Sequence, residues 1–224
     1  MLIIEQGVSE MAVVNNDFRD VMLNRHSVRK FDEQVKIERS ELTEMIAEAI
    51  TAPSACNLQA WRFVVVDSPA GKDKLRSFFM RFNLPQLETA SAVVMIFGDT
   101  LAFESYRDLW NKAYENGQIT AAKRDEVLKT FLPLYESAPK SMLINDSMVD
   151  CSLAAMQLML AARAHGYESN PIAGYDAKKA APAFDLDPER YVPVMAIAIG
   201  KPVDEGVDKV TSSRYPVKDV MDFA

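Results

Sequence analysis

The stretch Arg25–Phe31, RHSVRKF, gathers Arg25, His26 and Arg29 around one hydroxyl, Ser27, in a chain that is otherwise acidic. On an extended backbone Arg25, Ser27 and Arg29 project to one side. On a continued helix Arg25 and Arg29 share a face at i, i+4. Either geometry lets two guanidinium groups converge, and their planar forks suit phosphate oxygens, with the hydroxyl as a further donor. A solvated basic turn is the commoner use of such a run, so the phosphate reading depends on a pocket supplied by the rest of the chain. A second candidate is Ala52–Trp61, APSACNLQAW. Pro53 ends a helix, while Ser54, Asn57 and Gln59 offer donors and acceptors without charge, as the polar edge of a planar heterocycle requires. An ordinary turn draws on the same residue types.

The elements that must position these residues can be outlined from periodicity. Asn15 or Asn16 is placed to cap a short helix through DFRDVMLN, with Phe18, Val21 and Met22 on one face. A helix beginning at Ser40 carries Leu42, Met45, Ile46, Ala49 and Ile50 as its buried stripe and stops before Pro53. Residues 62–67 and 91–99 have the β-branched density of buried strands, with a helical pattern, GKDKLRSFFM, between them. Two charged helical patterns, 102–115 and 121–136, form a surface excursion over about 100–137, a possible lid. Its aromatic residues Phe103, Tyr106, Trp110, Phe131 and Tyr135 fit core packing first, with one or two left for a pocket. A long helix over 146–165, with the apolar middle CSLAAMQLMLAA, ends at Gly166 and should be central and buried. NPIAGY follows, then a short helical segment broken by Pro182, the strand VPVMAIAIG, and a polar tail. Strands and helices are mixed without regular βαβ alternation, which predicts an α+β domain over 17–224 behind an N-terminal extension, 1–16, in which Met11 is an alternative start.

Composition narrows the function. A length of 224 residues and 49% hydrophobic content suffice for a core. The net charge of -7 argues against nucleic acid or an anionic membrane as partner. The N-terminus lacks a signal-peptide pattern, and the longest uncharged apolar run, 151–162, is too short to span a bilayer, so a cytoplasmic protein is expected. Cys56 and Cys151, with His26 and His165, give neither a disulfide framework nor metal-ligand spacing, so no metal is expected. None of the eight glycines stands in a G-x-G arrangement, so a bound nucleotide must be held mainly by side chains.

Taken together, the motifs resemble the nitroreductase family of flavin enzymes. RHSVRKF matches its R-[RH]-S-x-R-x-F signature and APSACNLQAW its A-P-S-x-x-N-x-Q-x-W segment, and the likeness continues through NPIAGY and the late SSRYP, from about Asp17 to Phe223. The resemblance implies an α+β sandwich, a mostly antiparallel central sheet flanked by helices, built as an intertwined homodimer with one FMN in each of two clefts at the subunit interface. Arg25, Ser27 and Arg214 would hold the FMN phosphate and ribityl oxygens, with His26 adding contacts. Arg29 would lie near flavin N1 and the C2 carbonyl, and Asn83 on the pyrimidine edge. Pro53, Ser54, Ala55 and Asn57, with Gln59 nearby, would come from the other subunit. Pro171, Ile172, Ala173 and Gly174 would lie against the flavin, a backbone N–H reaching N5. Ala173 stands where some members have Glu, so side-chain contacts to nicotinamide or substrate are not carried over, and Ala60 stands where many have Pro. NADH or NADPH would be the reductant, and a nitroaromatic, quinone or similar small molecule the acceptor, in ping-pong turnover. A flavin-cleaving or dehalogenating enzyme and a non-catalytic flavin-binding redox sensor are the alternatives.

Overall fold

A computed structural model describes residues 13–203 and 212–224. The expectations for the extension before residue 13, including Met11 as a start, lie outside the described residues. Four strands, β1 (Trp61–Val66), β2 (Ala92–Asp99), β3 (Glu168–Ile172) and β4 (Tyr191–Gly200), form one sheet in the order β1-β2-β4-β3. Every neighbouring pair is antiparallel.

Strand β2 explains the layering. Its side chains alternate, and both faces are buried. Val93, Met95 and Phe97 enter one core with Leu75, Phe78 and Leu87, while Ala92, Val94 and Ile96 enter another with Leu42, Met45, Cys151 and Leu158. The first core is roofed by α3 (Pro69–Arg76) and α4 (Leu84–Thr89), the second by α2 (Arg39–Ala49) and α7 (Lys140–Ala164). Where α7 crosses β2 the approach is close: a Cβ on Gly98 would lie 2.5 Å from Ser147 Oγ.

Helices α5 (Tyr106–Glu115) and α6 (Ala121–Glu136) make up the charged excursion. Together with Leu58 and Ala60 they enclose a third apolar cluster that contains Phe103, Tyr106, Trp110, Phe131 and Tyr135, while Tyr114 of the same stretch stays exposed. Short α1 (Phe18–Asn24) precedes the basic segment, and α8 (Ala177–Ala180) follows the third strand.

Several boundaries differ from the sequence reading. Asp17 caps α1, accepting from the Arg19 and Asp20 N–H groups, while Asn15 supports Asp17. Only Val21 of the expected α1 face is buried; Phe18 is 68% exposed. Helix α2 starts one residue before Ser40, at Arg39, whose guanidinium is bidentate to Asp67. Ile50 closes that helix and is exposed. Helix α7 begins at Lys140, immediately after Pro139, and Met148, Val149, Leu153 and Met156 leave one side of it exposed, so it is central but not buried all round. Glu168–Ile172 was not legible as a strand, because Asn170 and Pro171 are poor strand formers; Pro171 is tolerated because β3 is an edge.

Candidate functional site

The basic segment is extended, not helical. Ser27 forms a parallel bridge to Ser169, the Val28 N–H donates to the Ser169 carbonyl at 3.1 Å, and Asn170 Nδ2 donates to the Val28 carbonyl at 2.9 Å. Val28 and Phe31 point into the core, which leaves Ser27 and Arg29 exposed and Arg25 half-buried. The extended alternative of the sequence reading is therefore the one realised.

Charges around this segment are unevenly matched. The other half-buried arginines, Arg124, Arg163 and Arg190, each pair with a carboxylate. Arg25 has no hydrogen bond or ion pair among the described residues. Arg163 of α7 ties Asp20 of α1, at 2.9 Å, to Glu168 at the start of β3. His26 Nδ1 donates to the Asn24 carbonyl at 3.0 Å and lies 4.0 Å from Glu168 Oε1. The local acids are thus held by Arg163, and Arg25 keeps its charge for something else.

Arg29 reaches a different neighbourhood. Its guanidinium donates to the Phe82 carbonyl at 2.7 Å, and the next residue, Asn83, is buried and donates through Nδ2 to the Gly174 carbonyl at 2.9 Å. A Cβ on Gly174 would lie 2.3 Å from that Nδ2, so only glycine admits the contact. Arg29, Asn83 and the end of the Pro171–Gly174 stretch are thereby brought together. In that stretch Ile172 is buried, while Pro171 and Ala173 are exposed.

Residues 53–60 form a separate piece. Cys56, Asn57 and Gln59 all adopt left-handed conformations, with φ of 48°, 62° and 51°. Such a run of non-glycine residues is strained and must be held from outside. Three contacts hold it: Ser54 Oγ accepts from the Gln59 N–H at 3.1 Å, Tyr106 Oη donates to the Cys56 carbonyl at 3.0 Å, and Asp150 Oδ1 accepts from the Ala55 N–H at 2.8 Å. Burial raises the Asp150 carboxyl above its usual range, while the Ala55 and Ala60 N–H groups oppose the shift and Asp146 adds to it. Burial likewise pushes the Cys151 thiol up to about 12, which makes it an inert core group. Pro53 and Asn57 are exposed, and Ser54, Ala55 and Gln59 are half-buried.

Arg214 lies in the exposed tail and donates to Ser212 and Ser213. Within one chain the described contacts link neither Arg214 nor residues 53–59 to the basic segment. One groove, of about 500 Å³, is lined by Phe18, Val21, Pro53, Leu153, Met156 and Leu160 among others. It is almost wholly apolar and contains no arginine, so it does not suit a phosphate. Asp150 and the Arg163–Glu168–Asp20 network escaped the sequence reading. The signal for Asp150 was a lone acid opening an apolar helical run.

The donor set fits the FMN implied by the resemblance. An uncompensated guanidinium beside a hydroxyl suits one terminal phosphate, and the neutral amides and backbone groups suit a planar ring with polar edges. Among the described residues no cluster of His, Cys, Asp and Glu is arranged to hold a metal, and no helix is long and apolar enough to cross a membrane.

Comparison with known proteins agrees. The profile of the Nitroreductase family matches residues 22–201. The chain is 56% identical over 211 residues to the CLA biosynthesis enone reductase of Lactiplantibacillus plantarum, covering 94% of this chain and 96% of that protein. It is 42% identical to YdgI of Bacillus subtilis (strain 168), named as an NAD(P)H nitroreductase, covering 94% and 99%. A crystal structure from Exiguobacterium sibiricum 255-15, described as a nitroreductase in complex with FMN, superposes with a TM-score of 0.90 at 41% identity, covering 96% and 100%.

Proposed function

The chain belongs to the nitroreductase family and is an FMN-dependent NAD(P)H oxidoreductase, and from that premise we propose that it passes a hydride from NAD(P)H to a conjugated, electron-poor acceptor by ping-pong turnover in a cleft completed by a second copy of the chain. When bound, FMN supplies the two-electron hydride chemistry; the protein supplies binding, orientation and electrostatics. The observation that carries the site assignment is the half-buried Arg25, free of any carboxylate, next to Ser27 on an extended edge.

In this reading Arg25 and Ser27 bind the phosphate and ribityl oxygens, His26 contributes its backbone or ring, and Arg214 arrives from the partner copy or from its own tail. Arg29 sets a positive charge at the pyrimidine end, where its bond to the Phe82 carbonyl keeps it beside Asn83. Pro171, Ile172, Ala173 and Gly174 present backbone against the ring. Pro53, Ser54, Ala55, Asn57 and Gln59 close the cleft from the partner, which agrees with the lack of contact between the two pieces in one chain.

Nitroaromatics and quinones are the first acceptor class. An α,β-unsaturated ketone is the second, favoured by the 56% identical enone reductase. The test is to purify the protein, identify the released flavin, and follow NADH and NADPH oxidation with a quinone, a nitroaromatic and an enone, with products identified by mass. Intersecting rather than parallel initial-rate lines would rule out ping-pong turnover, and absence of FMN would remove the whole reading.

A further inference from the structure

Asp150 is the buried acid that the chemistry above leaves unused. It is 1% exposed on the inner side of α7, and Oδ2 has no hydrogen-bond partner among the described residues. Oδ1 accepts from the Ala55 N–H, at the entrance to the left-handed run of Cys56, Asn57 and Gln59. No cation pairs with it among the described residues; the groups facing it are Asp146 on its own helix and the N–H groups of Ala55 and Ala60. Its neighbour Cys151 binds the same segment from the other end, its thiol donating to the Ala60 carbonyl at 3.5 Å. A lone uncompensated carboxylate is an expensive way to fill a core position. Its geometry instead makes it an acceptor that reaches across from a rigid helix to a strained turn.

We propose that Asp150 is a positioning residue for cofactor binding: its carboxylate holds the Ala55 N–H and so fixes residues 55–59 in the strained conformation in which they meet the flavin. The inference rests on the proposed role of residues 53–59. Without the acceptor, the turn relaxes toward right-handed conformations, Asn57 and Gln59 rotate away from the cleft, and FMN binding must supply the ordering that Asp150 supplies in the wild type. The carboxylate touches neither substrate nor cofactor in this account; it acts through the backbone.

The experiment titrates FMN into apoprotein of the wild type, Asp150→Ala and Asp150→Asn by flavin fluorescence, with amide exchange at residues 55–60 and thermal unfolding of each apoprotein. Asp150→Ala should bind FMN about tenfold or more weakly, as expected for loss of a hydrogen bond to a charged group, and the Ala55 N–H should exchange faster. Asp150→Asn keeps an acceptor oxygen for Ala55 and should recover most of the affinity. A folded Asp150→Ala that binds FMN like the wild type overturns the proposal, as does an Asp150→Asn no better than Asp150→Ala. If Asp150→Ala fails to fold, Asp150→Asn and exchange in the wild-type apoprotein decide: an Ala55 N–H as unprotected as a solvent-exposed amide overturns it, and one protected in the wild type and in Asp150→Asn alike supports it. A wild type that binds no FMN overturns the reading of the site itself, which is a distinguishable result.

Discussion

Arg25 and Arg29 lie four residues apart in one segment, yet their surroundings differ. Arg25 has no partner among the described residues, whereas Arg29 is tethered to the Phe82 carbonyl next to Asn83. A phosphate contact is the same whatever the oxidation state of the ring, so losing Arg214 or Arg25 should weaken FMN binding and leave the potential alone. A charge beside the pyrimidine favours the more negative, reduced state. If most of a charge-assisted hydrogen bond of about 1.5–3 kcal/mol is specific to that state, Arg29→Ala should lower the two-electron midpoint by about 30–60 mV. Potentiometric titration of Arg29→Ala and Arg214→Ala checks this; an Arg29→Ala variant with weakened binding and an unmoved midpoint would make Arg29 another anchor. Asp150 gives a second residue-level prediction. Burial raises its carboxyl in the folded state, with Asp146 adding to the shift. The folded chain therefore keeps this proton where the unfolded chain has lost it, so its contribution to stability falls as pH rises from the ordinary value near about 3.9 through the raised folded value, then levels off. The Tm of the wild type minus that of Asp150→Asn should decline over that window, and a rise would contradict the assignment. Both arginines were legible from the RHSVRKF pattern. Asp150 was not, because the turn that it holds lies 95 residues away in sequence.

At the level of elements, β2 and β4 could be read because their β-branched density survives burial on both sides. The strand Glu168–Ile172 could not: its identity is set by pairing with β4 and by the Ser27 bridge, not by its own residues. The excursion was legible as two helices but not in its purpose. Five of its six aromatic residues, all but Tyr114, pack with Leu58 and Ala60 instead of standing free over a cleft, and Tyr106 Oη bonds to the Cys56 carbonyl. Helices α5 and α6 thus act as a buttress for residues 54–60. Tyr106→Phe, which keeps the ring and removes only that donor, should cost about 1–2 kcal/mol, read as a Tm lower by roughly 2–4 °C per kcal/mol. It should also weaken FMN binding less than Asp150→Ala does, because the Ala55 contact remains. An unchanged Tm would show that the excursion does not brace the turn through this bond.

For the whole molecule, the apolar pattern around α7 has a consequence that a single chain leaves unfinished. The inner side of the helix packs on the sheet, but Met148, Val149, Leu153 and Met156 face outward, beside Phe18 and the apolar groove. The tail adds Tyr215, Val217 and Phe223, the last 93% exposed. A monomer rarely leaves so much apolar surface open. The two pieces of the proposed cleft also fail to meet within one chain. Both facts would be accounted for by the proposed homodimer, in which the outer side of α7 would be covered and residues 53–59 of one copy would be brought to the basic segment of the other. Sedimentation at low micromolar concentration should give a single species of twice the chain mass, with or without FMN. The decisive variant is Leu153→Glu with Met156→Glu. On a free surface such changes fall within about 0.5 kcal/mol, so a native monomer would keep its Tm and its flavin. At a buried interface each new carboxylate loses its water without gaining a partner, so the dimer should dissociate and FMN binding should disappear with it. Because an obligate dimer has no separate monomer stability, its Tm should also rise with protein concentration. A double variant that sediments as a monomer yet binds FMN as tightly as the wild type would place the whole site within one chain.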